Sequence, residues 1–133
     1  RRILDILEKI CDGKGTLEDI DRLEMLCEEV AKNSLCGLGQ GAPNPVVSTL
    51  KHFREEYIAH VVDKRCPAKV CRNLIRYEIT SPACTGCMVC ARNCPVEAIS
   101  GERRQLHVID AKTCIRCGIC AQVCNFNAVE VLS

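Results

Sequence analysis

Two cysteine runs, CTGCMVCARNCP and CIRCGICAQVCN, restrict this chain more than anything else in it, because both carry the spacing C-x2-C-x2-C-x3-C. Cys84, Cys87, Cys90 and Cys94 fall 30 residues before Cys114, Cys117, Cys120 and Cys124. The match runs past the cysteines, with Ile79 on Ile109, Ala91 on Ala121, Ala98 on Ala128 and Ile99 on Val129. Each half therefore reads as a strand, a cysteine loop, a short helix and another strand, and two such halves predict a pseudo-symmetric α+β unit over residues 73–133. Aromatic packing cannot hold this unit together: the whole chain has two Phe, two Tyr and no Trp. Its thirteen cysteines, about a tenth of the 133 residues, are at the level of a crosslinked or metal-built fold.

The doubled spacing is that of the bacterial two-cluster ferredoxins, which hold two 4Fe-4S cubes. In that arrangement three closely spaced thiolates face one cube and the fourth cysteine reaches the other. One cluster then takes Cys84, Cys87, Cys90 and Cys124, and the other takes Cys94, Cys114, Cys117 and Cys120. Apolar Val96, Ile99, Ile115, Ile119, Val129 and Val131 are expected to shield the cubes from water. A pair of zinc sites is the alternative, but zinc sites join two C-x2-C units across a longer gap and need no third close cysteine. A disulfide lattice is disfavoured by the odd number of cysteines. The halves differ at one place beside a ligand: Asn125 stands where the first half has Pro95, so an extra N–H is available there to a cluster sulfur and would raise its potential.

The first 62 residues have helical periodicity. Ile3, Leu4, Leu7, Ile10 and Cys11 share one face of a helix that Gly13 to Gly15 end. Thr16 to Asp19 resembles a capping box with Asp in place of Glu, opening a second helix to about Lys32. After the loop SLCGLGQGAP, Asn44 can cap and Pro45 can start a third helix, with Val46, Val47, Leu50, Phe53, Tyr57, Ile58 and Val61 along one side. Short connections make this a helical bundle over residues 1–62. A linker at 63–72, DKRCPAKVC, breaks the period, and LIRYEIT then begins the second unit as a strand. The chain opens at Arg1 with a helix under way and no initiator Met or apolar signal segment, so we expect a longer polypeptide in a reducing, cytoplasmic setting.

The stretch SLCGLGQGAPNPVVSTLKHF resembles the C-terminal helical domain of the flavin-bearing subunit of respiratory complex I and of NAD(P)-linked hydrogenases. In that family the cysteine of an LC-x-LG loop is the fourth ligand of a further 4Fe-4S cluster, and Cys36 occupies its place. The resemblance implies three partner cysteines in an upstream S-C-G-x-C-x-P-C-R segment that these residues do not include. A bundle followed by a two-cluster ferredoxin unit is similar to the tail of the beta subunit of multimeric, often electron-bifurcating, iron-iron hydrogenases. Formate dehydrogenase and NADH:ferredoxin transhydrogenase subunits share parts of this layout. The resemblance implies flavin mononucleotide (FMN) and NAD(P) in the remainder of the protein, and other subunits and ferredoxin as partners. The three glycines Gly37, Gly39 and Gly41 follow no strand and do not fit a dinucleotide loop.

His60, Cys66 and Cys71 form a second candidate metal site, for zinc, in and before the linker. His52 lies about 12 Å of helical rise from His60, too far to share an ion with it on a straight helix. Cys11, Cys27 or an absent segment is left to supply the fourth ligand, although both cysteines read first as small buried hydrophobes. His107, between Leu106 and Val108, reads as exposed or satisfied, and Glu102, Arg103 and Arg104 as a hairpin tip that a basic surface would let dock an acidic redox partner. Lys and Arg number 18 against 17 Asp and Glu, a net charge of +1 that gives no field for nucleic acid. No segment approaches the about 18 apolar residues of a membrane span. No nucleophile with a paired base is readable, so the expected role is one-electron relay rather than catalysis by these residues alone; the competing class is a zinc-based structural or binding module.

Overall fold

The structure, a computed structural model, describes all 133 residues and divides into two units, Arg1–Leu74 and Ile75–Ser133. In the first, α1 (Arg2–Cys11) and α2 (Leu17–Asn33) pack through apolar positions three and four apart. Ile6 and Ile10 of α1 meet Ile20 and Leu23 of α2, and Leu50 and Val61 close the cluster. The turn between α1 and α2 is tied by one carboxylate. Asp19 accepts from the Thr16 amide at 2.8 Å, from the Thr16 hydroxyl at 3.0 Å and from Lys9 Nζ at 2.7 Å. That is the expected capping box, and Lys9 adds a charge that draws α1 onto the start of α2.

The expected loop before the third helix contains a short helix of its own, α3 (Gly37–Gly41), with Cys36 at its N-cap. The third helix is not continuous. α4 (Asn44–His52) takes Asn44 as its first helical residue, behind Pro43 rather than capped by Asn44, and Phe53 leaves the helical region at φ −129°, ψ 32°. The chain resumes as α5 (Arg54–Ile58) and widens into a π-turn over Ala59–Asp63. The break changes which side chains are covered: Val47, Phe53 and Ile58 are exposed, against the single apolar side expected of them. It also frees Arg54 to pair with Glu24 and, at 3.8 Å, with Asp21 of α2. Residues 63–72, expected as a linker, lie within the first unit, which ends in a 3-10 turn at Arg72–Leu74.

The second unit interleaves its two halves. Strands β1 (Arg76–Ile79) and β2 (Ile99–Ser100) flank helix α6 (Val89–Arg92), and β3 (Val108–Ile109) and β4 (Val129–Leu132) flank α7 (Ile119–Gln122). β1 pairs antiparallel with β4, Ile79 opposite Val129, and β2 with β3, Ile99 opposite Ile109. Every pairing thus crosses between halves. The bonds repeat with the sequence: the Thr80 amide donates to the Ala128 carbonyl and the Asp110 amide to the Ala98 carbonyl, both at 2.8 Å. The strand expected from LIRYEIT is confined to Arg76–Ile79, because Leu74 closes the preceding turn instead. Ile79, Ile99, Ala128, Cys90 and Cys120 form the core, so two of the eight repeat cysteines are core residues.

Candidate iron-sulfur centres

Each cysteine loop is curled by backbone that turns left-handed at matching places. Positive φ occurs at Gly86 and Arg116, at Met88 and Gly118, and at Glu97 and Asn127, three pairs that all keep the 30-residue offset. At Gly86 the choice of residue is steric as well as conformational. A Cβ there would lie 2.4 Å from the Gln105 amide nitrogen and 2.6 Å from the Arg104 backbone, so the hairpin tip closes directly on the loop. Past the curl, α6 and α7 begin at Val89 and Ile119, carry Cys90 and Cys120 inward, and end just before Cys94 and Cys124.

The result is two small, apolar-walled pockets, one in front of each cysteine loop. One is lined by Cys84, Cys87, Cys90 and Cys124, the other by Cys94, Cys114, Cys117 and Cys120. In each, the fourth cysteine comes from the half that does not supply the other three. Val96, Ile99, Ile115 and Ile119 wall the second cavity, and Ile79, Val89, Phe126 and Val129 the first; Val131 borders neither. The fourth cysteines are held alike, Cys94 accepting from the Ala98 amide at 3.3 Å and Cys124 from the Ala128 amide at 3.4 Å. Cys114 accepts in addition from the Arg116 amide at 3.4 Å. Four soft thiolates, apolar walls and amides donating to sulfur suit an iron-sulfur cube. Burial pushes the Cys90 thiol up, and it pushes Cys120 up to about 11, with the Cys114 and Cys117 sulfurs adding to the shift against a backbone amide that lowers it. Cluster loading must therefore expel protons from these two positions.

A different cluster of ligating atoms lies in the first unit. The nitrogen and sulfur atoms of His60, Cys66 and Cys71 fall within 4.8 Å of one another. The π-turn holds His60, whose Nδ1 lies 2.7 Å from the Glu56 carbonyl and whose Nε2 lies 3.4 Å from Cys71 Sγ. Burial raises the Cys66 thiol, but the Cys71 and Val70 amides that donate to its sulfur, with the Cys71 thiol and the His60 ring, bring it well below the ordinary thiol range. Cys71 moves the other way, raised by burial, by Cys66 and by Cys11. That last influence singles out one of the two cysteines that the sequence offered as fourth ligand. Cys11 is exposed rather than buried, is among the groups that raise the Cys71 thiol, and borders the hollow that His60 also lines, although it lies outside the His60, Cys66 and Cys71 group itself. Its place at the end of α1, opposite a Cys-containing turn some 60 residues away, has no signal in local sequence. Cys27 is fully buried and His52 is exposed, and neither belongs to the group.

Cys36 stands apart from both centres. It is exposed at the N-cap of α3, where its sulfur accepts from the Gly39 amide at 3.4 Å, with exposed Leu35 and Leu38 on either side. Of the two expected cases, exposed or satisfied, His107 is the satisfied one: it is 1% exposed, its Nδ1 lies 3.1 Å from the Gln105 carbonyl, and its ring borders the cavity of Cys84, Cys87, Cys90 and Cys124.

Residues 1–60 match the family model described as the NADH-ubiquinone oxidoreductase-F iron-sulfur binding region, and residues 83–128 match the 4Fe-4S dicluster domain. The chain joins an F-type iron-sulfur region to a dicluster domain. Among curated proteins it is 52% identical over 107 residues to NADP-reducing hydrogenase subunit HndC of Solidesulfovibrio fructosivorans, covering 80% of this chain and 22% of that one. It is 47% identical over 62 residues to the F subunit of the NADH-quinone oxidoreductase of Mycobacterium bovis, covering 47% of this chain and 14% of that one. Against the beta subunit of the NADPH-Fe(3+) oxidoreductase of Geobacter sulfurreducens the identity is 34% over 85 residues, covering 64% of this chain and 12% of that one. The chain thus spans about a fifth or less of the length of these relatives. The F-type region contains Cys11, Cys36 and His60, and the dicluster domain contains all eight repeat cysteines. Cys66 and Cys71 fall in the stretch between the two matched segments. No helix is long and apolar enough to cross a membrane.

Proposed function

We propose that this chain is the iron-sulfur relay at one end of an NAD(P)-linked hydrogenase-type subunit, passing single electrons between a flavin and cluster chain and ferredoxin or a neighbouring subunit. The observation that carries this reading is the pair of pockets that are each lined by four cysteines drawn from both halves. Cys84, Cys87, Cys90 and Cys124 would hold one 4Fe-4S cluster and Cys94, Cys114, Cys117 and Cys120 the other, each cluster accepting and releasing one electron. The chain's own contribution is to exclude water with Ile79, Ile99, Val129 and their neighbours, and to point amides at the sulfurs, both of which set potential. Cys36 is the fourth ligand of a third cluster whose other ligands lie outside these residues; its exposure suits a sulfur that must meet a second segment.

On the same reading FMN and NAD(P) bind elsewhere in a longer cytoplasmic protein, the helices of the first unit form part of a bundle, and the surrounding complex is of the electron-bifurcating hydrogenase kind. The resemblance to HndC favours this over the formate dehydrogenase and transhydrogenase branches. Zinc at His60, Cys66 and Cys71, with Cys11 as fourth ligand, would brace residues 60–71 against α1. The Glu56 carbonyl, 2.7 Å from Nδ1, is placed to accept the proton of the tautomer that such a site needs.

The test is chemical analysis with a redox titration of the purified chain. The reading predicts about eight irons and eight sulfides for the two clusters, with two EPR-active reduction steps, and one zinc. Zinc alone, without labile sulfide, would overturn it in favour of a structural metal module.

A further inference from the structure

Of the eight repeat cysteines, only Cys87 is exposed; Cys84, Cys94, Cys114, Cys117 and Cys124 are half-buried, and Cys90 and Cys120 are buried. The counterpart of Cys87 in the repeat, Cys117, is followed by Gly118, and the Tyr77 hydroxyl lies over that glycine, 2.8 Å from where a Cβ would stand. Electron exchange between proteins falls steeply with distance, so the ligand open to solvent marks the face where a partner comes closest to a cluster. The two sites are therefore unequal as places of contact.

The surroundings of Cys87 have a definite charge. The carbonyl of its neighbour Gly86 accepts from the Arg104 amide at 3.0 Å, and the Arg104 backbone fills the space that a side chain at Gly86 would need. That seats the tip of the β2–β3 hairpin against the loop, next to the exposed sulfur. Arg103 and Arg104 are both exposed, and neither forms an ion pair; the five ion pairs of the chain all lie in the first unit. Glu102, the one acidic residue of the tip, accepts from the Gln105 side-chain amide at 3.3 Å. The loop itself, residues 81–88, has no charged side chain. Half-exposed Phe126 borders the same pocket as Cys87 and supplies an apolar contact. Arginine beside an exposed aromatic ring is the composition that protein contacts favour.

We propose that this face, formed by Cys87, Phe126, Arg103 and Arg104, is the docking site of a small acidic one-electron carrier, which exchanges its electron with the cluster on Cys84, Cys87, Cys90 and Cys124. One electron passes from the reduced carrier to that cluster, or back: the carrier is oxidised as the cluster is reduced, with no bond made and no proton moved. An anionic cube on its own repels an acidic carrier, and the two arginines offset that repulsion at the point of approach. The second loop also has cations, Lys112 and Arg116, but Asp110 stands among them and no cysteine there is exposed. The proposal rests on the two-cluster reading and adds the end of the relay at which exchange occurs and the charge of the partner.

The experiment uses the intact, cluster-loaded protein with a purified acidic two-cluster ferredoxin as probe, and methyl viologen, a cationic mediator, as the charge control. Stopped-flow rates of exchange with the ferredoxin are expected to fall as salt rises. Arg103→Glu with Arg104→Glu should lower the ferredoxin rate by about tenfold or more at low salt, without loss of iron and without lowering the methyl viologen rate. Lys112→Glu, a charge reversal beside the second loop, should leave the ferredoxin rate within about twofold. Arginine modification by phenylglyoxal, mapped by mass spectrometry, reads the surface independently of turnover, and bound ferredoxin should shield Arg103 and Arg104. Full iron content with a ferredoxin rate unmoved by the double variant, an equal loss in Lys112→Glu, or arginines as reactive with ferredoxin as without it overturns the proposal and leaves the two-cluster reading standing. Absence of iron from the native protein overturns that reading instead.

Discussion

The amide of Ala128 donates to the sulfur of Cys124 at 3.4 Å, and 30 residues earlier the amide of Ala98 does the same to Cys94 at 3.3 Å. Each bond fixes a cysteine that lines the cavity of the opposite half, so the two sites share their supports. A defect at one fourth cysteine is therefore expected at the far loop. Cys124→Ser should alter the EPR signal and iron content of the cluster on Cys84, Cys87 and Cys90, and leave the three sulfurs of its own loop, with Cys94, able to hold the second cluster.

Gly86 and Arg116 are equivalent in the repeat and have φ of 66° and 55°, yet they do not tolerate the same exchange. Gly86→Ala puts a Cβ into the backbone of Arg104 and Gln105 and is expected to cost about 1–3 kcal/mol, seen as a lower thermal midpoint and slower cluster retention. Arg116→Gly relieves a left-handed non-glycine residue and should shift stability by less than about 1 kcal/mol.

The carboxylate of Asp19 gathers Lys9 and the two Thr16 donors, and the Lys9 hydrogen bond above all holds it below the ordinary value of 3.8, against its burial. A depressed carboxyl adds stability above its unfolded pKa and loses it as pH falls through 3.8 and below. Asp19→Asn should destabilise the first unit by about 1–2 kcal/mol at neutral pH and flatten the acid limb of its unfolding curve, measured by circular dichroism.

Burial of Cys120 has the opposite sign. Its thiol is raised from 9.0 to about 11, so the protein stripped of clusters is most stable in this respect below pH 9 and loses that contribution as pH rises from 9 toward 11. Denaturant unfolding of chelator-treated protein across this range should show the loss, and Cys120→Ala should abolish it. With clusters bound, the sulfurs are already deprotonated and the dependence should vanish.

At the His60 site, Cys66→Ser with Cys71→Ser should remove one zinc without changing iron. Cys11→Ser alone should weaken zinc retention against a chelator if it is the fourth ligand, whereas Cys27→Ser should leave it unchanged. Metal analysis by mass spectrometry reads all three.

The dicluster domain was legible because a single spacing dictates its chemistry, and because repetition at 30 residues carries over to strand pairing, left-handed turns and amide-to-sulfur bonds. The helical unit was legible where local chemistry decides, as in the Thr16–Asp19 cap. It was misread where tertiary contacts decide. The break at Phe53 places Arg54 against α2, a preference no periodicity encodes. Cys11 and Cys27 were equal candidates for a fourth zinc ligand in the sequence, and only folding, which leaves Cys27 buried and Cys11 at the edge of the His60 hollow, separates them. His107 looked ordinary because alternation with exposed Leu106 and Val108 shows that it points inward without showing what it meets.

The crossed assignment of the eight cysteines is tested most directly by locating iron in the cluster-loaded protein, through an anomalous difference map at the iron edge. The account predicts two groups of four irons, one bounded by Cys84, Cys87, Cys90 and Cys124 and the other by Cys94, Cys114, Cys117 and Cys120. Iron bounded by Cys84, Cys87, Cys90 and Cys94 within a single half, or a single metal atom in either cavity, would contradict it.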